Sequence, residues 1–157
     1  IHARSLDGRH HPSRDWVKSW HASIAHEIPD AWRLCGENMY AQHSIVYQDL
    51  ESYFYLFSIW DDKNKCLSWD DTEQWGQLLG CPTPVVLHRG IWDETRLRQL
   101  SKQIDIDRSE GYVVRLAEAF SYDDFKTAVA KWVRPKHVQT EQHWMHAEIV
   151  PNSLKEE

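Results

Sequence analysis

The chain has 157 residues, with 9 Trp and 6 Tyr among them, and a formal net charge of -6. This acidic balance argues against a protein that coats nucleic acid through a broad basic surface, so any nucleic-acid contact is expected to be local. No apolar run reaches the roughly 18 residues that a membrane span needs, and nothing resembles a signal peptide. We therefore expect a cytoplasmic domain without membrane contact.

The first elements are a strand end and a helix. Residues 1–5 are expected to end a strand, because a turn signal follows at Asp7 and Gly8. Apolar side chains at every fourth position then predict a helix over about residues 14–26. Ser13 is the predicted cap of this helix, since its hydroxyl can accept a hydrogen bond from an amide of the first turn.

The middle of the chain combines two strands with a second helix. A short strand is predicted over residues 32–35. Residues 53–60 (YFYLFSIW) are apolar on both alternating faces, which is typical of a central strand that is covered on both sides. A helix follows over about residues 69–79, with Ser68 at its start and Gly80 at its end.

The remaining elements are mostly extended. Residues 82–84 (PTP) predict a turn and residues 85–87 a strand, after which a helix runs from Asp93 to about residue 104. Alternating side chains predict two more strands, over residues 110–116 and 127–134.

These patterns favour one mixed α/β domain over residues 1–157. Residues 139–157 are polar and are expected to form a tail, either helical or frayed.

Two charged residues on apolar strands are candidates for chemistry. Lys131 shares a predicted strand face with Val129 and Val133, so it either meets an anionic partner or lies in water on an edge strand. Glu110 opens its strand beside Gly111, which leaves room for a backbone or a ligand to approach closely. This carboxylate could hold a divalent metal or simply be solvated at a strand end.

Four segments together resemble the covalent nucleotidyltransferase superfamily of RNA ligases, DNA ligases and capping enzymes. They are CGENMYAQHSI at 35–45, YFYLFSIWD at 53–61, EGYVVR at 110–115 and KWVRPKHV at 131–138. Residues 2–5 (HARS) are similar to the strand that follows the nucleophile motif. Within the superfamily, the chain is most similar to the phage-type RNA ligases that seal nicked or duplexed RNA and to their bacterial relatives. The resemblance implies an α+β, ATP-grasp-like nucleotidyltransferase core with mainly antiparallel sheets around a nucleotide cleft.

The resemblance also implies roles for single residues. Arg4 would contact the nucleotide phosphate or the RNA end, Glu37 would bond the ribose, and Phe57 would stack on adenine. From the residues alone, Glu37 could equally finish a turn. Glu110 would be catalytic and orient Mg²⁺ or Mn²⁺, and Lys131 would contact the α-phosphate of ATP. Lysine and metal ions suit this chemistry, because attack on the α-phosphate builds negative charge that cations spread.

The sequence departs from the family pattern at three points. Val133 stands where many members carry a second lysine, so Arg134 or Lys136 would reach the phosphates instead. Ser58 stands where an aspartate is usual. No K-x-D-G motif, which carries the nucleophilic lysine, occurs in these residues. We therefore expect a fragment whose N-terminal part is missing and which does not adenylylate itself.

The expected function of the intact protein is ATP-dependent joining of RNA 5′-phosphate and 3′-hydroxyl ends, with RNA ends and end-processing repair enzymes as partners. Two alternatives stay open. One is another nucleotidyltransferase, either a DNA ligase or a GTP-using capping enzyme. The other is a noncatalytic module that binds nucleotides or RNA ends.

Overall fold

The computed structural model describes residues 1–2, 11–135 and 149–156. Its helices and strands follow in this order: α1 (Asp15–Ile24), β1 (Arg33–Asn38), β2 (Phe54–Trp60), β3 (Lys65–Cys66), α2 (Trp69–Leu78), α3 (Glu94–Gln103), β4 (Gly111–Arg115), β5 (Phe120–Ser121), α4 (Phe125–Ala128) and β6 (Val129–Val133). Short 3-10 helices lie at Pro12–Arg14, Ala25–Glu27 and Tyr122–Asp124.

The strands form two antiparallel sheets. The first sheet has four strands in the order β1-β2-β3-β5, and the second consists of β4 and β6. The expected α+β class with antiparallel sheets is therefore confirmed. In the part of the chain that the structure describes, no helix has the length and apolar character needed to cross a bilayer.

The main core lies on β2, which has a strand partner on each edge. Leu56 and Ile59 are fully buried, and Val17 of α1 and Leu79 at the end of α2 belong to the same cluster. Phe57 lies between the two buried residues of β2 but is 41% exposed. The prediction of a central strand is confirmed, whereas the prediction that both sides are covered is wrong at Phe57.

The helix boundaries depend on capping side chains. Ser68 accepts a hydrogen bond from the Asp71 amide, and Asp93 accepts one from the Arg96 amide, so the predicted starts of α2 and α3 are confirmed. The predicted helix over 14–26 is present as α1 with a 3-10 turn at each end. Ser13 does not cap α1, because it is buried inside the preceding 3-10 turn, where it bonds His11.

Two further predictions need correction. Residues 85–87 are an exposed loop and not a strand, with Val85 84% exposed. A run of three apolar residues forms a strand only where a neighbouring strand pairs with it, and these residues are unpaired in the described part of the chain. The strand predicted over 127–134 begins only at Val129, since the preceding residues form the short helix α4. The strand end predicted at residues 1–5, with its turn at residues 7–8, lies largely outside the described residues.

Residues 149–156, which the sequence placed in a tail, run alongside residues 39–53. Ala41 pairs with Pro151, and Leu50 pairs with Leu154, in isolated β-bridges. We refer to residues 39–53 as the 39–53 loop and to residues 149–156 as the C-terminal strap.

Candidate functional site

Glu110 is held at the start of β4 through its backbone and through its side chain. Its carbonyl accepts a hydrogen bond from the Arg134 amide at 2.8 Å, which extends the pairing of β4 with β6. Its Oε1 accepts a hydrogen bond from the Ser44 hydroxyl of the 39–53 loop. A Cβ at Gly111 would lie 2.0 Å from the carbonyl oxygen of Trp132, so only glycine permits this approach of the two strands.

Tyr47, also on the 39–53 loop, lies among three charged side chains. Burial raises the pKa of its phenol and is the main cause of the shift. The negative charges of Glu110 and Glu37 raise this pKa further. The guanidinium of Arg134 lowers it. The structure therefore brings Glu37, Glu110 and Arg134, all predicted from the sequence, into one electrostatic neighbourhood around a neutral phenol.

Ser44 and Tyr47 were not among the residues predicted for the site. Ser44 lies inside the matched segment 35–45, and Tyr47 comes two residues after it. Their position in or next to that segment was the only available signal, because nothing in the local pattern shows that the loop folds onto Glu110.

Arg134 is buried, and its guanidinium bonds carbonyl groups of the backbone. One nitrogen donates to the carbonyl of Ile106, and another donates to the carbonyl of Ser44 at 3.5 Å. Among residues 11–135 and 149–156, no acceptor lies within hydrogen-bond distance of its Nε. Arg134 thus ties the 39–53 loop to the end of β6, close to Glu110.

Phe57 owes its exposure to a β-bulge in β2. Cys35 of β1 pairs with Ser58, whereas the next residue, Gly36, pairs with Leu56. Phe57 is therefore the extra residue without a partner in β1. Bulges redirect side chains and are frequent beside functional sites, and here the bulge turns an aromatic ring toward solvent.

Arg115 connects the two sheets next to Phe57. Its guanidinium donates to the carbonyl of Phe57 at 3.3 Å and to the carbonyl of Leu67 at 2.8 Å. Arg115 pairs with Val129, and Lys131 lies two positions further along β6 on the same face of the two-stranded sheet. This face therefore turns toward Phe57, and Lys131 is exposed on it.

The opposite face of the two-stranded sheet contacts α3. Tyr112 and Trp132 stack there with ring centroids 5.5 Å apart, and the Tyr112 hydroxyl donates to the carbonyl of Leu97 at 2.7 Å. Tyr112 and Trp132 are half-buried on that side, whereas Lys131 is exposed on the other.

The oxygen atoms of Glu110 and Ser44 are of the hard kind that Mg²⁺ binds. In the described part of the chain, no group of three or more His, Cys, Asp or Glu side chains could hold a metal by itself. Mg²⁺ is usually bound through one or two carboxylates together with substrate phosphates and water. A carboxylate beside the Ser44 hydroxyl provides the hard oxygen ligands that Mg²⁺ or Mn²⁺ requires.

The fold and the site define an α+β domain in which one antiparallel strand pair carries a half-buried carboxylate, Glu110, and an exposed lysine, Lys131, and in which the face with the lysine turns toward an exposed aromatic ring, Phe57. The chain belongs to the RNA ligase family, whose sequence profile matches residues 1–133. Searches of curated proteins and of solved structures returned no match. The matched range includes Glu37, Phe57, Glu110 and Lys131. Arg4 and Lys136, also predicted to bind the nucleotide, lie outside the residues that the structure describes.

Proposed function

We propose that this domain is the nucleotidyltransferase core of an ATP-dependent RNA ligase. Such an enzyme attaches AMP to a lysine, passes it to an RNA 5′-phosphate and lets a 3′-hydroxyl displace it. Membership in the RNA ligase family supports RNA ends as substrates. The observation that carries the finer proposal is the order of Glu110, Lys131 and Arg115 along the β4–β6 strand pair, with Arg115 in contact with the backbone of Phe57.

The spacing along β4 suits a nucleotide that lies along the strand. A strand advances about 3.3 Å per residue, so Lys131, which pairs with Val113, lies roughly 10 Å along the sheet from Glu110. Arg115, which contacts the backbone of Phe57, lies roughly 7 Å further along. Adenine at Phe57, phosphates at Lys131 and a metal at Glu110 would follow one another in the order base, phosphate, metal.

Each residue then has a physical task in adenylyl transfer. Attack on the α-phosphate collects negative charge on the phosphoryl oxygens, which the ammonium of Lys131 stabilises. Glu110, oriented by Ser44, holds Mg²⁺ or Mn²⁺. When bound, the divalent ion neutralises developing phosphate charge as a Lewis acid. Phe57 stacks on adenine, and Glu37 accepts a hydrogen bond from a ribose hydroxyl.

Further phosphate contacts are assigned to Arg4, Arg134 and Lys136. Arg134 already donates to two backbone carbonyls, so a phosphate would compete with these for its guanidinium. The main role of Arg134 in this proposal is therefore to hold Ser44 beside Glu110.

The nucleophilic lysine is proposed to come from a segment upstream of Ile1. No K-x-D-G occurs in these residues. In this proposal Lys131 contacts the phosphate and does not attack it. We expect this chain alone to form no covalent AMP adduct. The lysine-bearing form is the chain extended upstream through a K-x-D-G segment, and it is referred to below as the extended protein.

The test is incubation of this chain and of the extended protein with ATP labelled at the α-phosphate and Mg²⁺, followed by denaturing electrophoresis. Labelled GTP is the matched control for a capping enzyme. We expect label from ATP on the extended protein only. No label on either form would favour a noncatalytic binding module, label from GTP would favour a capping enzyme, and label on this chain would place the nucleophile within it.

A further inference from the structure

The C-terminal strap is fastened to the 39–53 loop through Asn152. Asn152 is only 3% exposed, although its side chain is polar. Its backbone and side chain together bond five groups of the loop. The backbone amide of Asn152 donates to the carbonyl of Tyr40 at 2.8 Å, and its backbone carbonyl accepts from the Tyr53 hydroxyl at 3.0 Å. In the side chain, Nδ2 donates to the carbonyls of Met39 at 2.8 Å and Ala41 at 3.4 Å. The side-chain Oδ1 accepts from the Tyr47 amide at 2.9 Å.

Backbone hydrogen bonds extend this attachment along the strap. The amide of Gln42 donates to the carbonyl of Val150 at 2.8 Å. Ser153 donates to the carbonyl of Tyr47 at 3.0 Å and accepts from the amide of Leu50 at 3.2 Å. The strap thus satisfies backbone groups of a loop that has no helix or strand of its own.

The fastened loop is the one that carries Ser44 to Glu110. Asn152 fixes the loop at residues 39–41 before Ser44 and at Tyr47 after it. Between these points, the Ser44 hydroxyl donates to the carboxylate of Glu110, and the Ser44 carbonyl accepts from Arg134. A single buried side chain therefore holds both ends of the short segment that orients the carboxylate.

We propose that the C-terminal strap positions the ligase site, and that Asn152 is the positioning residue through which it fixes Ser44 and so the carboxylate of Glu110. The proposal rests on the proposed function, because that function gives Glu110 its metal-binding task. The strap lies beyond residues 1–133, which the family profile matches, so it adds to the site from outside the matched range.

A positioning role differs from a purely stabilising one in what it changes. Misplacing the carboxylate of Glu110 should weaken the response of adenylyl transfer to Mg²⁺ more than it weakens ATP binding, because Phe57 lies on β2 and not on the loop. A general loss of stability should leave the Mg²⁺ response of the folded molecules unchanged.

The experiment measures adduct formation by the extended protein against Mg²⁺ concentration, at a temperature where every variant is folded. For Asn152→Ala we expect the Mg²⁺ concentration that gives half-maximal adduct formation to rise about tenfold. The variant loses the buried hydrogen bonds that hold Ser44 beside Glu110, and a loss of this size is typical of such bonds. Affinity for a nonhydrolysable ATP analogue should stay within about twofold. Val17→Ala, a core change away from the loop, and Ser153→Ala, a change in an exposed side chain of the strap, serve as controls and should leave the Mg²⁺ response unchanged.

Ser44→Ala tests the other end of the same connection without opening the strap. It should shift the Mg²⁺ response as Asn152→Ala does, and the double variant should show little additional shift, because both changes act on one carboxylate. Amide hydrogen exchange gives a readout that does not depend on activity. Tyr47 and Leu50 should lose protection in Asn152→Ala and keep it in Ser44→Ala.

The outcomes separate the two proposals. If the unchanged extended protein forms no adduct, the proposed function fails, and the positioning role fails with it. If it forms the adduct but Asn152→Ala keeps the Mg²⁺ response of Val17→Ala, only the positioning role is overturned. Loss of exchange protection together with a shifted Mg²⁺ response would support both.

Discussion

Replacement of Phe57 by alanine tests whether the bulge in β2 presents a base-stacking ring. Phe125 offers a matched control, because it is the same residue type and is also 41% exposed. Phe125 packs against Trp60 and Tyr122, with ring centroids 6.1 Å and 6.0 Å away, and is not assigned to the nucleotide.

The expected magnitudes differ between stability and binding. Somewhat more than half of each phenylalanine is buried, so each alanine variant should lose about 1–2 kcal/mol of unfolding free energy. Stacking on one base contributes roughly 1–3 kcal/mol. Phe57→Ala should therefore weaken ATP binding roughly 5- to 150-fold, whereas Phe125→Ala should leave it unchanged.

Calorimetric titration can measure this difference. The ligand is an ATP analogue with a methylene group between the α- and β-phosphates, so that no adduct forms, and the protein is the extended form. Thermal unfolding of both variants provides the stability comparison. Equal affinities of Phe57→Ala and the unchanged protein, or an equal loss in both variants, would refute the stacking role.

Three other changes probe the site and the fold. Lys131→Ala should slow adduct formation about 10²- to 10³-fold and leave the melting temperature unchanged. Lys126→Ala, a control at another exposed lysine, should leave both the rate and the melting temperature unchanged. Labelled ATP measures the rate, and thermal unfolding measures the melting temperature. Gly111→Ala should cost about 2 kcal/mol or more in denaturant unfolding, since its Cβ would meet the carbonyl of Trp132, and wild-type stability would contradict that geometry. Burial raises the pKa of the Cys81 thiol from 9.0 to about 11, so its contribution to stability is present below pH 9 and is lost as the pH rises. The difference in unfolding free energy between the unchanged protein and Cys81→Ala should be about 1.4 kcal/mol smaller at pH 10 than well below pH 9. If this difference did not change with pH, the reasoning would be refuted.

Elements specified by nearby residues could be predicted from the sequence. The starts of α2 and α3 follow from Ser68 and Asp93, whose side chains bond amides three residues ahead. The strands β2, β4 and β6 follow from alternating or continuous apolar patterns. Residues 85–87 show the limit of such patterns, because three apolar residues do not reveal whether a partner strand is available.

The parts of the site that depend on distant contacts could not be predicted. The exposure of Phe57 follows from its register with β1, which a single strand does not specify. The contact of Ser44 with Glu110 joins residues far apart in sequence, and the loop is held there by Asn152 of the strap. The family resemblance supplied Glu110 and Lys131 as candidates, but the side chains that orient the carboxylate became visible only in the structure.

Sealing of a nicked RNA duplex whose 5′-phosphate already carries AMP tests the central claim most directly. The extended protein is given this RNA with Mg²⁺ and no ATP, and the sealed strand and the released AMP are both measured. In this step the 3′-oxygen forms a bond to the 5′-phosphorus, the bond to AMP breaks, and the hydroxyl proton passes to solvent. The proposed function predicts sealed RNA and AMP in equal amounts. RNA that binds but stays unjoined, or sealing of the matching DNA nick alone, would contradict it.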